Sequence, residues 1–117
     1  MINIRIYTDP QGKSPFREWL SLIKDKITKA RIRARLDRVS LGNFGDYKLI
    51  ANNLWELRLQ FGSGYRIYYT IFENEIVILL CGGDKSTQTR DIEKAKRYIN
   101  ELKERCDEQT KITEEYH

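Results

Sequence analysis

The chain has 117 residues, 40% hydrophobic and 32% charged, with a formal net charge of +4. That length holds one domain, and no apolar run reaches the roughly 20 residues of a membrane span. Its start, MINIRIYT, lacks the charged and apolar regions of a secretory leader, so a cytoplasmic protein with no membrane partner is expected. Cys81 and Cys106 are too few for a disulfide framework or a zinc site, and the one histidine is the terminal His117. Histidine-based nucleases, Ser–His–Asp hydrolases and His-rich metal centres are therefore excluded; no cofactor and no metal are expected.

The charge is uneven. Residues 101–117 carry a net −3, leaving +7 on the first 100. Lys24 to Arg38 holds seven bases against Asp25 and Asp37, a net of +5. A basic body favours polyanions, because phosphate contacts release counterions. By itself such a run more often marks a solvated helix face.

In chain order, Ile2 to Tyr7 alternates strictly and reads as a half-buried strand. Ser14-Pro15 then opens a helix: serine caps, and proline fills the first position, where its missing N–H costs nothing. Phe16, Trp19, Leu20, Ile23 and Ile27 follow at helical spacing and are read as core. A second helix is expected over about Thr28 to Leu41, with Ile32, Leu36 and Val39 inward and Arg31, Arg35 and Arg38 outward. Gly42 stops it, and residues 42–53, rich in Gly, Asn and Asp, read as a loop.

Three strands follow. Leu54 to Gln60 puts Trp55, Leu57 and Leu59 on one face and Glu56, Arg58 and Gln60 on the other. Tyr65 to Ile71 opposes Tyr65, Ile67, Tyr69 and Ile71 to Arg66, Tyr68 and Thr70, after a Gly62-Ser63-Gly64 turn. Glu75 to Cys81 is nearly continuous apolar, as a central strand covered on both faces would be. Cys81 reads as a packed small residue. Past Gly82-Gly83-Asp84-Lys85-Ser86-Thr87 a last helix starts near Gln88, with Ile92, Ala95, Ile99 and Leu102 inward. The expected fold is α+β, in the order β-α-α-β-β-β-α, a mainly antiparallel twisted sheet with helices packed largely against one face. Residues 1–105 form the expected domain; 106–117 are an acidic, solvated tail.

If the apolar residues of the two hairpin strands share a face, Arg58 stands opposite either Arg66 or Tyr68, and two arginines and a tyrosine gather on the other face. Like charges directly opposite cost a sheet roughly 0.2–1 kcal/mol, a cost that a bound anion would remove. Glu56 pairing with one arginine on a wet surface is the plainer reading of the same residues. The GGDKSTQ segment reads as an anion-binding helix start, with Ser86, Thr87 and Gln88 as phosphate ligands, or as a glycine turn plus a hydroxyl cap. The third strand delivers Lys85 to the end of the sheet that carries the arginines.

The run Leu57-Arg58, Gly64-Tyr65-Arg66-Ile67-Tyr68-Tyr69 and Leu79-Leu80-Cys81-Gly82-Gly83-Asp84-Lys85-Ser86-Thr87-Gln88, followed by Asp91-Ile92 and Ala95, resembles the RelE/ParE toxin superfamily, most of all its HigB-like, phage Gp49-related branch. The likeness covers all but the acidic tail, and takes in the Phe16-Arg17-Glu18-Trp19-Leu20 helix. It implies the toxin of a type II toxin-antitoxin system: a ribosome-dependent, metal-independent endoribonuclease that cleaves mRNA in the ribosomal A site. Its implied partner is a helix-turn-helix antitoxin encoded nearby. The family's basic cleft maps onto Arg58, Arg66 and Lys85, with a further site residue at about Asp91.

The chemistry of those residues fits. Arg58 and Arg66 suit the phosphorane charge as preorganised donors. Lys85 shares that task or protonates the 5′-oxygen. Glu56 is the candidate base, with Asp84 or Asp91 behind it. Tyr68 stacks on a base or orients the nucleophile, and Arg31, Arg35 and Arg38 are candidate RNA contacts. Two other readings stand beside this one: a ParE-like DNA gyrase poison, and a non-catalytic RNA- or antitoxin-binding module.

Overall fold

The computed structural model describes residues 1–105 and 113–116. Its chain order is β1 (Asn3–Tyr7), α1 (Pro15–Leu22), α2 (Lys26–Ser40), β2 (Tyr47–Ala51), β3 (Leu54–Leu59), β4 (Tyr65–Phe72), β5 (Ile76–Gly83), a single 3₁₀ turn (Lys85–Thr87), α3 (Gln88–Glu104) and β6 (Thr113–Glu115). The six strands form one sheet in the order β2-β3-β4-β5-β1-β6. The β1–β5 pair is parallel and every other pair antiparallel. The expected α+β architecture is thus the observed one.

The caps explain where the helices begin. Ser14 accepts from the Arg17 amide at 3.1 Å, ahead of Pro15 in the first turn. Asp25 caps α2, its carboxylate accepting from the Ile27 amide and the Thr28 hydroxyl. That second cap breaks what reads as one long stripe. Ile27, expected in the core, opens α2 instead and is 67% exposed. Gly42, at φ +92°, follows α2 and ends it as expected.

Helices cover both faces of the sheet, not one. Phe16 and Ile23 of the first helical segment and Ile32, Leu36 and Val39 of α2 pack on Ile4, Ile6, Leu57, Leu59, Ile67, Tyr69, Val77 and Leu79. Ala95 and Ile99 of α3 pack on the opposite side chains, Leu54, Tyr68, Ile78 and Leu80, with Tyr7 and Cys81. Strand parity separates the two sets as far as Leu80, and a bulge in the β4–β5 pairing then sets Cys81 opposite Tyr68 on the second face. Leu54, and the apolar residues of both parities in β5, are the signal that the second face needed a cover.

Two strands escape the hydrophobic pattern. β2 lies within the expected loop at 42–53; Tyr47 and Leu49 are half-exposed on this edge strand, so no clean alternation marks it. β6 comes from the acidic tail. There Glu114 pairs with Arg17 at 2.5 Å, and the Thr113 hydroxyl accepts from Arg5 at 2.7 Å. Residues 106–112 and 117 of that tail, Cys106 and His117 among them, lie outside the described residues.

Candidate functional site

The β3–β4 register sets Arg58 directly opposite Arg66 and Glu56 opposite Tyr68. All four side chains are on the face that α3 covers. Glu56 is 0% exposed and occupies the middle of the group. Its Oε1 accepts from Arg58 Nε at 2.9 Å, and its Oε2 accepts from the Gln88 side-chain amide at 2.8 Å. Arg66 Nε lies 3.8 Å from the same Oε2. The wet-surface pairing of the plainer reading is therefore replaced by a buried carboxylate shared between two guanidinium groups. That bond to Glu56, first of all, raises the Arg58 pKa above the usual guanidinium value.

Arg58 and Arg66 keep different amounts of solvent contact, with side chains 31% and 12% exposed. Arg66 is held further, Nη1 donating to the Gly64 and Tyr65 carbonyls at 3.3 and 3.4 Å. These anchors restrict the fork of each arginine and leave Arg58 the more open of the two, the arrangement of a preorganised anion donor.

Lys85 reaches the same place along the backbone. The Lys85 amide donates to the Ser63 carbonyl at 3.4 Å, and the Ser63 hydroxyl to Asp84 Oδ2 at 3.4 Å, so the 62–64 turn and the 84–85 turn are stitched together. Gly64 has φ +77°, and a Cβ there would sit 3.3 Å from Lys85 Cβ and 3.8 Å from Arg66 Nη1. The exposed Lys85 thus stands beside Arg66. Arg58, Arg66 and Lys85 against the buried Glu56 and the neighbouring Asp84 leave this group with one net positive charge.

The turn into α3 has its own internal bonds. Asp84 accepts from the Ser86 amide at 2.8 Å and from the Ser86 hydroxyl at 2.6 Å. The Ser86 hydroxyl above all holds the Asp84 carboxyl below its ordinary range. Thr87 accepts from the Asp84 amide and donates to Asp91 Oδ2 at 2.5 Å. Asp84 caps the 3₁₀ turn and closes a reciprocal capping box with Thr87, while Thr87 stands at the N-cap position of α3 as expected but without a side-chain capping bond.

Several expected contacts take other places. Tyr68 has no exposed surface and lies under α3; burial, then the Glu56 charge, pushes its pKa up, so it presents no ring to a base. Asp91 is buried against Gly83 and Thr87. Arg35 is not on the outer face of α2. At 8% exposure it donates to the carbonyls of Phe44 (3.1 and 2.8 Å), Arg58 (2.6 Å) and Asp46 (2.6 Å), which fastens the 44–46 segment to β3. Arg31 and Arg38 are exposed as expected, and Ser86 is exposed at the turn. Gln88, expected as a phosphate ligand, donates its side-chain amide to Glu56. No residue spacing signals that contact, since 32 positions separate the two.

Among the described residues, no group of three or more His, Cys, Asp or Glu side chains could hold a metal ion, and no helix is long and apolar enough to cross a membrane. The Cys81 thiol is buried and pushed up to about 12, chiefly by desolvation, which removes it as a nucleophile at neutral pH.

Comparison with known proteins comes to bear on this geometry. Residues 18–104 match the family described as "Phage derived protein Gp49-like", a stretch that contains all of the clustered residues above. An uncharacterized protein of Haemophilus influenzae is 49% identical over 87 residues, which make up 74% of this chain and 88% of that one.

Proposed function

The chain belongs to the phage-derived Gp49-like family, part of the RelE/HigB-like toxin superfamily, and from that membership we propose that it is the toxin of a type II toxin-antitoxin system, of the HigB-like branch, inhibiting translation by cutting messenger RNA on the ribosome. The observation that carries this reading is the cross-strand Arg58–Arg66 pair clamped on a buried glutamate, with Lys85 beside it. Two opposed arginines on one carboxylate keep a net positive charge on the sheet, which a phosphorane with developing negative charge would neutralise.

In the proposed reaction the 2′-oxygen attacks the adjacent phosphorus and the 5′-oxygen leaves. Arg58 and Arg66 donate to the non-bridging oxygens, and Lys85 protonates the departing oxygen. Glu56 has no exposed atom with which to take a proton, so its part is to fix the two forks, with Gln88 fixing Glu56 in turn. Asp91 is likewise spent on Thr87. Asp84 is the least buried of the three candidate carboxylates and lies next to Lys85, so we assign it as acceptor of the 2′-hydroxyl proton. Its lowered pKa makes it a weak base. Cleavage then depends on alignment by the ribosome, since aligned reactants gain up to about 7–11 kcal/mol from proximity. The proposed partners are accordingly mRNA in the ribosomal A site and a helix-turn-helix antitoxin.

Primer extension on messenger RNA after brief induction tests this, with wild type and Arg66→Ala compared. Cuts inside translated frames that vanish in the variant support it. Growth arrest with uncut messenger overturns it; lost supercoiling would then indicate a gyrase poison, and intact supercoiling a binding module.

A further inference from the structure

A second basic surface adjoins the site at the C-terminal end of β3. It is an open groove of about 410 Å³, lined by Arg31, Arg35, Arg38, Asp46, Arg58 and Phe61 among others. That size falls in the range of pockets that take nucleotide-sized ligands, about 300–1,000 Å³. Three features give its walls distinct chemistry. The Arg31 guanidinium lies over the Phe61 ring, 5.0 Å from its centroid, and the ring is backed by Tyr65 at 5.7 Å. Arg35 forms a rigid floor, every nitrogen of its guanidinium donating to a backbone carbonyl. Arg38 is exposed at the rim, and the one acidic lining residue, Asp46, accepts from Gln60 at 2.6 Å.

We infer that this groove is a binding subsite for one nucleotide of single-stranded RNA, flanking the phosphate held by Arg58 and Arg66. It rests on the reading of the chain as an RNA-cleaving toxin and adds where the strand runs. Arg58 belongs to both places: it lines the groove and pairs with Glu56 in the cluster, so a strand lying in one continues into the other. The base stacks on the Arg31 guanidinium, which Phe61 holds from behind, and Arg38 takes the adjoining phosphate. An acidic peptide is a poorer occupant. Its carboxylates need cations spread along a strand, whereas here they converge around a flat aromatic shelf.

The test is titration of a fluorescently labelled five-nucleotide single-stranded RNA into the full-length protein carrying Arg66→Ala, which prevents cutting. Phe61→Ala in that background is expected to weaken binding about tenfold. Arg38→Glu, at an exposed position that does not endanger folding, is expected to weaken it at least as much and to flatten the salt dependence by about one unit. Lys96→Glu, on the exposed face of α3, should leave it unchanged. Unaltered affinity in both groove variants overturns the subsite, as does a parent that binds no RNA. So does loss of binding to the antitoxin in the groove variants with RNA binding intact. RNA binding that needs Phe61 and Arg38, in a protein that cuts no messenger, would uphold the groove and sink the nuclease reading alone.

Discussion

Arg58 and Arg66 face each other across two antiparallel strands, and the carboxylate of Glu56 between them is wholly buried. Such a carboxylate is a structural obligation once the arginines are there. Glu56→Ala leaves two cations crowded with nothing to neutralise them, and Gln88 loses its acceptor. The expected cost is about 3 kcal/mol, the low end for breaking a buried pair because Arg58 is partly solvated. Urea denaturation measures it. Arg66→Ala removes an ion-pair partner of Glu56 but neither of its two hydrogen-bond donors, Arg58 and Gln88, and should cost less. It should nevertheless lower messenger cleavage about 10²–10³-fold, the effect of losing one transition-state donor. Equal stability losses in the two variants would contradict this division of roles.

Arg35 is expected to matter for folding and not for RNA. Arg35→Met keeps the buried stem and removes four hydrogen bonds, taking this donor from the carbonyls of Phe44 and Arg58, while the Asp46 carbonyl keeps the Arg58 amide. A loss of about 3 kcal/mol or more follows. Arg35→Lys should rescue little, because an ammonium cannot span carbonyls that a planar fork reaches together. Thermal melting of the variants checks both statements.

Gly83 is required by Asp91. A Cβ at this position would collide with the Asp91 carboxylate and crowd Thr87 Oγ1. Gly83→Ala should therefore destabilise by about 1–3 kcal/mol, as overpacking does, and shift the turn that carries Lys85. Combining it with Asp91→Gly opens the space and should recover part of the loss in a double-mutant cycle. Additive losses would show that the crowding lies elsewhere.

Acid should weaken the turn into α3. Asp84 is lowered below its ordinary value in the fold, chiefly by its bond from Ser86. Folding thus favours its ionised form, and the contribution is present in full above the unfolded carboxylate value of about 3.9. It is lost as pH falls through the lower folded value. Asp84→Asn retains a cap without the charge, so its stability relative to wild type should be lower at neutral pH and converge on wild type in acid. Denaturation midpoints from pH 7 down to 2.5 follow the difference; a constant gap would refute it.

The order β1-α1-α2-β3-β4-β5-α3, the caps at Ser14 and Gly42, the apolar inward residues of α2 and β3, and the choice of Arg66 or Tyr68 as the residue facing Arg58 were legible in the sequence. Each follows from local rules: helical or two-residue periodicity, capping chemistry, and the parity that a hairpin imposes on facing residues. The cationic members of the candidate site could be picked out for the same reason, because Arg58, Arg66 and Lys85 lie on consecutive strands and a turn.

What the sequence left open depended on contacts distant along the chain. Whether α3 crosses to the second face of the sheet decides whether Glu56 and Tyr68 are wet or buried, and periodicity within a strand marks alternation without saying what covers each face. Arg35 has the same spacing as its neighbours Arg31 and Arg38. It turns inward because the carbonyls of the 44–46 segment and β3 converge on it, and a buried charge is tolerable only with such partners. Sequence by itself determined which residues carry the charge and on which strands; tertiary structure decided which of them face solvent, since burial is set by the element packed against each face.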